Sequence, residues 1–136
     1  MDQFIAVNTP DLNGNEKKYL NECIDTGWIS SEGPFVKKFE EEFSRYCQRQ
    51  HGIAVCNGTA ALEVALDALG LGPGDEVILP SFTIISCAQA ITNTGATPVV
   101  VDCDPQHWNM DVSQVEKLIN KKTKAIMIVH IYGLTV

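Results

Sequence analysis

Residues 53–68, IAVCNGTAALEVALDA, decide the fold. The first four, 53–56, are a short apolar run of the kind that makes a buried strand. Asn57-Gly58 is a turn pair. From Thr59 the spacing becomes helical: Leu62, Leu66 and Leu69 fall at i, i+4 and i+7. Val64, Ala65 and Ala68 cover most of the remaining surface, and only Glu63 and Asp67 are charged, four residues apart. The stretch therefore predicts a buried strand running through a tight turn into a helix buried on nearly all sides. The first N–H groups of such a helix lack internal acceptors. With the helix dipole they suit an anion, commonly a phosphate. Gly58 would let an anion approach the backbone and Thr59 could add a hydroxyl. The same residues also satisfy the plain requirement of any strand-to-helix turn. The stretch is neither a G-x-x-x-x-G-K-[ST] loop nor a G-x-G-x-x-G fingerprint, so nucleoside triphosphate and dinucleotide motifs are absent from it.

Working outward, a second strand-to-helix junction follows. GLGPGD (70–75) closes the central helix, residues 76–79 read as a strand ending at Pro80, and Ser81-Phe82-Thr83 leads into a helix ending near Asn93. A very apolar strand at 97–101 leads to Asp102-Cys103-Asp104-Pro105, which reads as turn chemistry in preference to a metal site. Asp111 and Gln114 suggest a capping box for a helix with Val112, Val115, Leu118 and Ile119 inward. KAIMIVHI (124–131) reads as a further buried strand, and Tyr132-Gly133 begins a loop. Toward the N-terminus, Asn13 and Glu16 fit a helix cap, Gly27 a helix stop, and Pro34 the first turn of a second helix. That second helix carries Phe35, Phe39, Phe43 and Tyr46 at helical spacing, read as core or subunit packing.

The order is two helices, then β-α-β-α-β-α-β. Strands alternating with helices through short loops predict an α/β fold with a mostly parallel sheet and helices on both faces. Continuous apolar strands fit a sheet covered on both sides. Ligands of such sheets bind at the carboxyl ends of the strands. That rim would carry Asn57-Gly58-Thr59, Ser81-Phe82-Thr83-Ile84, Asp102-Cys103-Asp104 and His130-Ile131-Tyr132.

Composition narrows the classes of function. The chain has 136 residues, enough for one core, with 45% hydrophobic and 20% charged residues. Its net charge is −7 and its lysines gather in nothing larger than short groups such as Lys121-Lys122, which argues against a nucleic-acid partner. No apolar run reaches membrane-spanning length, and the N-terminus lacks a basic region followed by an apolar core. The five cysteines (23, 47, 56, 87 and 103) are scattered without C-x-x-C spacing, which fits reduced thiols in a cytoplasmic protein.

Four blocks, GWISSEGPFVKKFEEEF (27–43), VCNGTAALEVALDALGLGPGDEVILPSFT (55–83), TGATPVVVDCDPQHWNMD (94–111) and KTKAIMIVHIYG (122–133), resemble, in order and spacing, the DegT/DnrJ/EryC1 family. Its members are pyridoxal-phosphate-dependent nucleotide-sugar aminotransferases of fold type I. The resemblance covers essentially the whole chain. It implies residues 1–33 as an N-terminal helix and substrate-side loop, and residues 34–136 as the first part of the large α/β domain. It implies that Gly58, Thr59 and Ala60 hold the phosphate of pyridoxal 5'-phosphate (PLP). Ile84 stands where the family usually has an aromatic residue stacked on the pyridine ring. Trp28, Ile29 and Ser30 match a loop near the sugar substrate, and His130 and Tyr132 match a signature of a structural or supporting kind.

Within the family, the likeness is greatest to members that aminate C4 of a GDP-linked 4-keto-6-deoxy sugar with glutamate as donor. A homodimer and a place in cell-surface glycan or O-antigen synthesis are implied in the same way. No catalytic residue is assigned within the chain. The family's Schiff-base lysine and the aspartate at the pyridinium nitrogen are expected beyond residue 136, so the chain reads as the N-terminal portion of a longer protein. Its eight lysines (17, 18, 37, 38, 117, 121, 122 and 124) fall away from the expected cofactor rim. Two other readings keep the fold: a PLP-dependent nucleotide-sugar 3-dehydratase with histidine in place of that lysine, and a non-catalytic sugar-nucleotide-binding or regulatory protein.

Overall fold

A computed structural model describes residues 4–136. The chain divides into two compact units, Met1–Ala54 and Val55–Val136. The sequence-derived boundary at 33/34 falls within the first of these.

The first unit holds helices α1 (Glu16–Thr26) and α2 (Pro34–Tyr46). α1 ends as expected, with Gly27 left-handed at φ 76° and its N–H donated to the Ile24 carbonyl at 3.2 Å. Its start differs from the expected cap. Asn15 precedes the helix, while Asn13 donates its side-chain amide and its backbone N–H to Asp11 Oδ1 at 2.6 and 3.2 Å. A carboxylate two residues upstream offers Asn13 a local turn, and that turn competes with capping. The aromatic stripe of α2 is a stack on the surface of the unit. Phe39 and Phe43 have ring centroids 5.4 Å apart, Phe43 and Tyr46 6.4 Å, and Tyr19 of α1 meets Phe35 at 5.1 Å.

Residues 53–56, expected as a strand, are irregular. Apolar character predicts a need for burial, but a strand also needs a neighbouring edge to bond. Here the Ala54 N–H is donated to Glu40 Oε1 of α2 at 2.8 Å. Gly52 fixes that approach: a Cβ there would lie 2.5 Å from the Glu40 carbonyl oxygen. Ile53 stays largely exposed.

The second unit is the α/β part. In order it contains α3 (Gly58–Ala68), β1 (Glu76–Pro80), α4 (Ile85–Asn93), β2 (Thr97–Val101), α5 (Val112–Leu118), β3 (Thr123–Ile126) and a 3-10 turn at Ile131–Gly133. The three strands form one parallel sheet in the order β2-β1-β3. β1 pairs Ile78 with Val99 on one side and with Ile126 on the other. Val77, Ile78 and Leu79 are at most 1% exposed, the deepest run among the described residues. Their alternation builds two cores. Val77 and Leu79 pack with Leu66, Cys87, Ala90, Ile91 and Ala96 under α3 and α4. Ile78 packs on the opposite face with Val101 and Met110, beside Val115 and Leu118 of α5. Helices thus cover both faces of a parallel sheet, as the alternating pattern predicts.

Three expectations are corrected. α3 is buried on one side only, with Leu66 buried but Val64 and Leu69 open. Leu62 and Leu66 pack on the core and Glu63 accepts from the Asn93 side-chain amide of α4 at 2.7 Å, while Ala61, Ala65 and Ala68 are exposed. In α5, Val112 and Ile119 stand at the ends and are more than half exposed, so Val115 and Leu118 make the contact. The last strand is shorter than expected, although burial alternates from Thr123 to His130 and the Met127 N–H still reaches the Ile78 carbonyl at 2.7 Å. Ala125, Met127 and Val129 face the α3–α4 core, leaving Ile126 and Ile128 half open on the other face. Pro98, which cannot donate to a ladder, sits in β2 at the sheet edge, where it is tolerated. Among the described residues no helix is long and apolar enough to cross a membrane, and the five cysteines are free.

Candidate cofactor site at two helix starts

The chain enters α3 through Asn57 in extended conformation (φ −165°). Its side-chain oxygen accepts from the Ala60 N–H at 2.9 Å, and its carbonyl accepts from Ala61 at 3.1 Å. Asn57 is thus an N-cap as well as a turn residue. The signal for it was present, since Asn directly before an apolar-periodic run is a helix start. The cap divides the three amides assigned to phosphate. Ala60 is engaged within the chain, while no described residue accepts from the N–H groups of Gly58 and Thr59. Gly58 is open, with nothing within 4 Å of a built Cβ.

α4 starts differently. Ile84 is its N-cap, in extended conformation and without a side-chain cap bond. The Cys87 N–H turns back to the Ile84 carbonyl at 3.1 Å, and no described residue accepts from Ile85 and Ser86 N–H. The two helix starts meet: Thr59 Oγ1 lies 3.0 Å from Ser86 Oγ, in a half-buried contact 27 residues apart in sequence. Two positive helix ends therefore stand side by side, lined with hydroxyls. Ser86 did not stand out in the sequence, because a serine in a helix first turn is ordinary. Its meaning comes from the pairing of α3 with α4.

Ile84 is 65% exposed at this same end, an apolar side chain open to solvent. Phe82, two positions earlier, is in contact with another ring. Its ring meets Trp108, centroids 5.3 Å apart, and both line a cleft of about 500 Å³ with His107, Ile131, Tyr132 and Leu134. Trp108 (φ 64°) and Tyr132 (φ 49°) both hold left-handed backbone there, an uncommon state for aromatic residues.

Elsewhere on the carboxyl rim the polar residues serve the loops. Asp104 accepts from Gln106 and His107 N–H at 2.8 and 3.1 Å and from His107 Nδ1 at 2.8 Å. Chiefly the Gln106 N–H, then that of His107, holds its carboxyl below the ordinary value. Asp102 accepts from Cys103 N–H at 2.8 Å. The Asp104-Pro105 segment is thus a turn, as its sequence suggested. Asp111 caps α5 and accepts from Ser113 N–H, Ser113 Oγ and Gln114 Nε2. The Ser113 hydroxyl, then the Gln114 amide, lower its pKa. His130 Nδ1 accepts from Val136 N–H at 3.1 Å, a structural bond. In the first unit, Trp28, Ile29 and Ser30 line a cleft of about 310 Å³ with residues of α1 and α2, and the Trp28 Cβ packs 3.5 Å from a Cβ built on Gly33.

The sequence profile of the DegT/DnrJ/EryC1/StrS aminotransferase family matches residues 10–136. The chain belongs to this family. Among curated relatives it is 55% identical over 129 residues to a GDP-perosamine synthase of Caulobacter vibrioides, covering 95% of this chain and 35% of that protein. It is 51% identical over 131 residues to the GDP-perosamine synthase of Escherichia coli O157:H7, covering 96% and 36%. Among solved structures it superposes on a sugar aminotransferase of Streptococcus pneumoniae in its PLP form, with TM-score 0.87 and 37% identity over 97% of this chain and 33% of that one. The chain spans about a third of the length of the family relatives it matches.

Proposed function

We propose that the protein is a PLP-dependent aminotransferase that moves an amino group from glutamate to the C4 ketone of a GDP-linked 4-keto-6-deoxy sugar. The observation that carries this reading is the open α3 start, with free Gly58 and Thr59 N–H groups, in a chain 55% identical to a GDP-perosamine synthase. When bound, PLP supplies the carbonyl that carries nitrogen between substrates and the electron-withdrawing ring that eases proton removal.

The same reading assigns roles to this chain's own residues. Gly58 and Thr59 N–H donate to phosphate oxygens, and the Thr59 hydroxyl adds a third donor. The Ala60 N–H holds the Asn57 cap, which keeps the first turn of α3 rigid and correctly aimed. Ala60 supports the site through its small side chain, which leaves the approach clear. Ile84, exposed at the start of α4, would cover one face of the ring by apolar contact. Trp28, Ile29 and Ser30 approach the sugar. A homodimer, a cytoplasmic location and a role in O-antigen or similar glycan synthesis belong to the same reading.

One observation favours a second reading. Ile84 lacks the quadrupole and flat face of an aromatic ring, so it weakens the hold on PLP. That suits a sugar-nucleotide-binding protein without transfer chemistry. The deciding experiment gives the intact protein PLP, glutamate and a GDP-linked 4-keto-6-deoxy sugar. Equimolar 2-oxoglutarate and amino sugar are expected. Nucleotide-sugar binding without either product would overturn the enzyme reading, and loss of water from the sugar would point to the dehydratase.

A further inference from the structure

We infer that Ser86 is a positioning residue for the phosphate site: its hydroxyl completes a two-hydroxyl chain that directs Thr59 Oγ1 at a bound phosphate. The inference rests on the reading of Thr59 as a phosphate ligand.

A threonine hydroxyl has one hydrogen and two lone pairs. Thr59 Oγ1 donates to Ser86 Oγ at 3.0 Å across the α3–α4 contact. A phosphate offers only acceptor oxygens at neutral pH, so Thr59 can serve it only by turning its single hydrogen away from Ser86. That would leave two half-buried oxygens facing each other with no hydrogen between them. Ser86 resolves the conflict by rotating its own hydroxyl to donate to Thr59 Oγ1. The order then runs Ser86 to Thr59 to phosphate, with every hydrogen used and none transferred. Donors in series polarise one another, so the terminal bond to the anion is strengthened. The Ser86 N–H, which no described residue accepts, adds to the positive end of α4 beside the same site. The backbone places the hydroxyl suitably. Ser86 is the second residue of α4, Cys87 below it is buried in the core, and Thr83 Oγ1 lies 3.3 Å from Cys87 Sγ, tying the junction to the helix.

A merely structural tie between α3 and α4 would behave differently, and the test separates the two. The intact protein is titrated with PLP and with pyridoxal, which lacks the phosphate, following the cofactor's absorbance. Wild type, Ser86→Ala, Ser86→Thr, Thr59→Val and the Thr59→Val/Ser86→Ala double variant are compared. Ser86→Ala should weaken PLP about threefold to tenfold, the scale of one hydrogen bond, and leave pyridoxal unchanged. Ser86→Thr should restore PLP affinity. On the Thr59→Val background, Ser86→Ala should have no further effect, because the chain is already cut. Equal weakening of PLP and pyridoxal, no weakening at all, or an undiminished effect on the Thr59→Val background would each overturn the proposal. If wild type itself binds PLP no tighter than pyridoxal, the phosphate reading of Thr59 fails and takes the Ser86 role with it. If only the Ser86 variants behave like wild type, the phosphate reading stands and the role of Ser86 alone is lost.

Discussion

The starts of α3 and α4 are two solutions to one problem, side by side. Both follow an extended segment, both leave first-turn N–H groups to satisfy, and their hydroxyls touch. α3 uses a side-chain cap, Asn57, which takes the Ala60 N–H and leaves Gly58 and Thr59 open. α4 uses none. Its N-cap is an isoleucine whose side chain points to solvent. The two show how a helix start is kept stable and open at once. Both starts leave the first two amides without an acceptor among the described residues; at α3 the Asn57 side chain takes the third, and at α4 the Ile84 carbonyl does. An uncapped apolar start is instead suited to a flat apolar group lying over it.

The predictions test this contrast, beginning with the largest effect. Thr59→Pro removes both the N–H and the hydroxyl in the first turn of α3, where the lost N–H breaks no intrahelical bond. It should lower PLP affinity of the intact protein by about 100-fold or more, the scale of two hydrogen bonds to a charged group. Retention of PLP through gel filtration, with thermal melting as a folding control, checks it. Unchanged retention would remove the phosphate role of the α3 start. Ile84→Phe supplies the missing ring face at the α4 start. PLP should bind roughly threefold to tenfold tighter, in line with about 0.5–1.5 kcal/mol for an aromatic pair. Weaker binding would show that residue 84 does not lie over the ring. Asn57→Ala makes the α3 start resemble that of α4. Urea unfolding should show a loss of about 1 kcal/mol, while Ile84→Ala, with no cap bond to lose, should change stability less.

The smallest effect concerns acid. The folded pKa of Asp111 lies below its ordinary value of 3.8, through the Ser113 hydroxyl and the Gln114 amide. A lowered carboxyl contributes stability above its unfolded pKa and loses it as pH falls through the folded value. Melting temperature should therefore drop on acidification from about pH 4 downward, and Asp111→Asn should flatten that part of the profile. A parallel profile for the variant would assign the acid sensitivity elsewhere.

Much of this architecture was legible in the sequence because burial and periodicity agree there. The run at Val77, Ile78 and Leu79 is apolar, short and bounded by turn residues, and it became the central strand. The starts of α2 at Pro34 and the stop of α1 at Gly27 follow from backbone restrictions that need no tertiary partner. What failed depended on partners. Residues 53–56 have strand-like apolarity, yet the Ala54 N–H goes to Glu40, a contact that spacing alone does not reveal. Val64 and Leu69 are apolar without being buried, since hydrophobicity predicts inward faces and not how many neighbours arrive. At the site, Gly58, Thr59, Ala60 and Ile84 were marked by motif position and Asn57 by its place before an apolar-periodic run, whereas Ser86 emerged only from its distance to Thr59. The left-handed backbone of Trp108 and Tyr132 carried no sequence signal, because neither residue type favours it.

The central claim is that the start of α3 holds a phosphate. Its most direct test is the ratio of PLP to pyridoxal affinity in the intact wild-type protein, measured by absorbance titration under identical conditions. The account predicts PLP tighter by about 100-fold or more, since the phosphate alone distinguishes the two and meets several N–H and O–H donors. Equal affinities would contradict it.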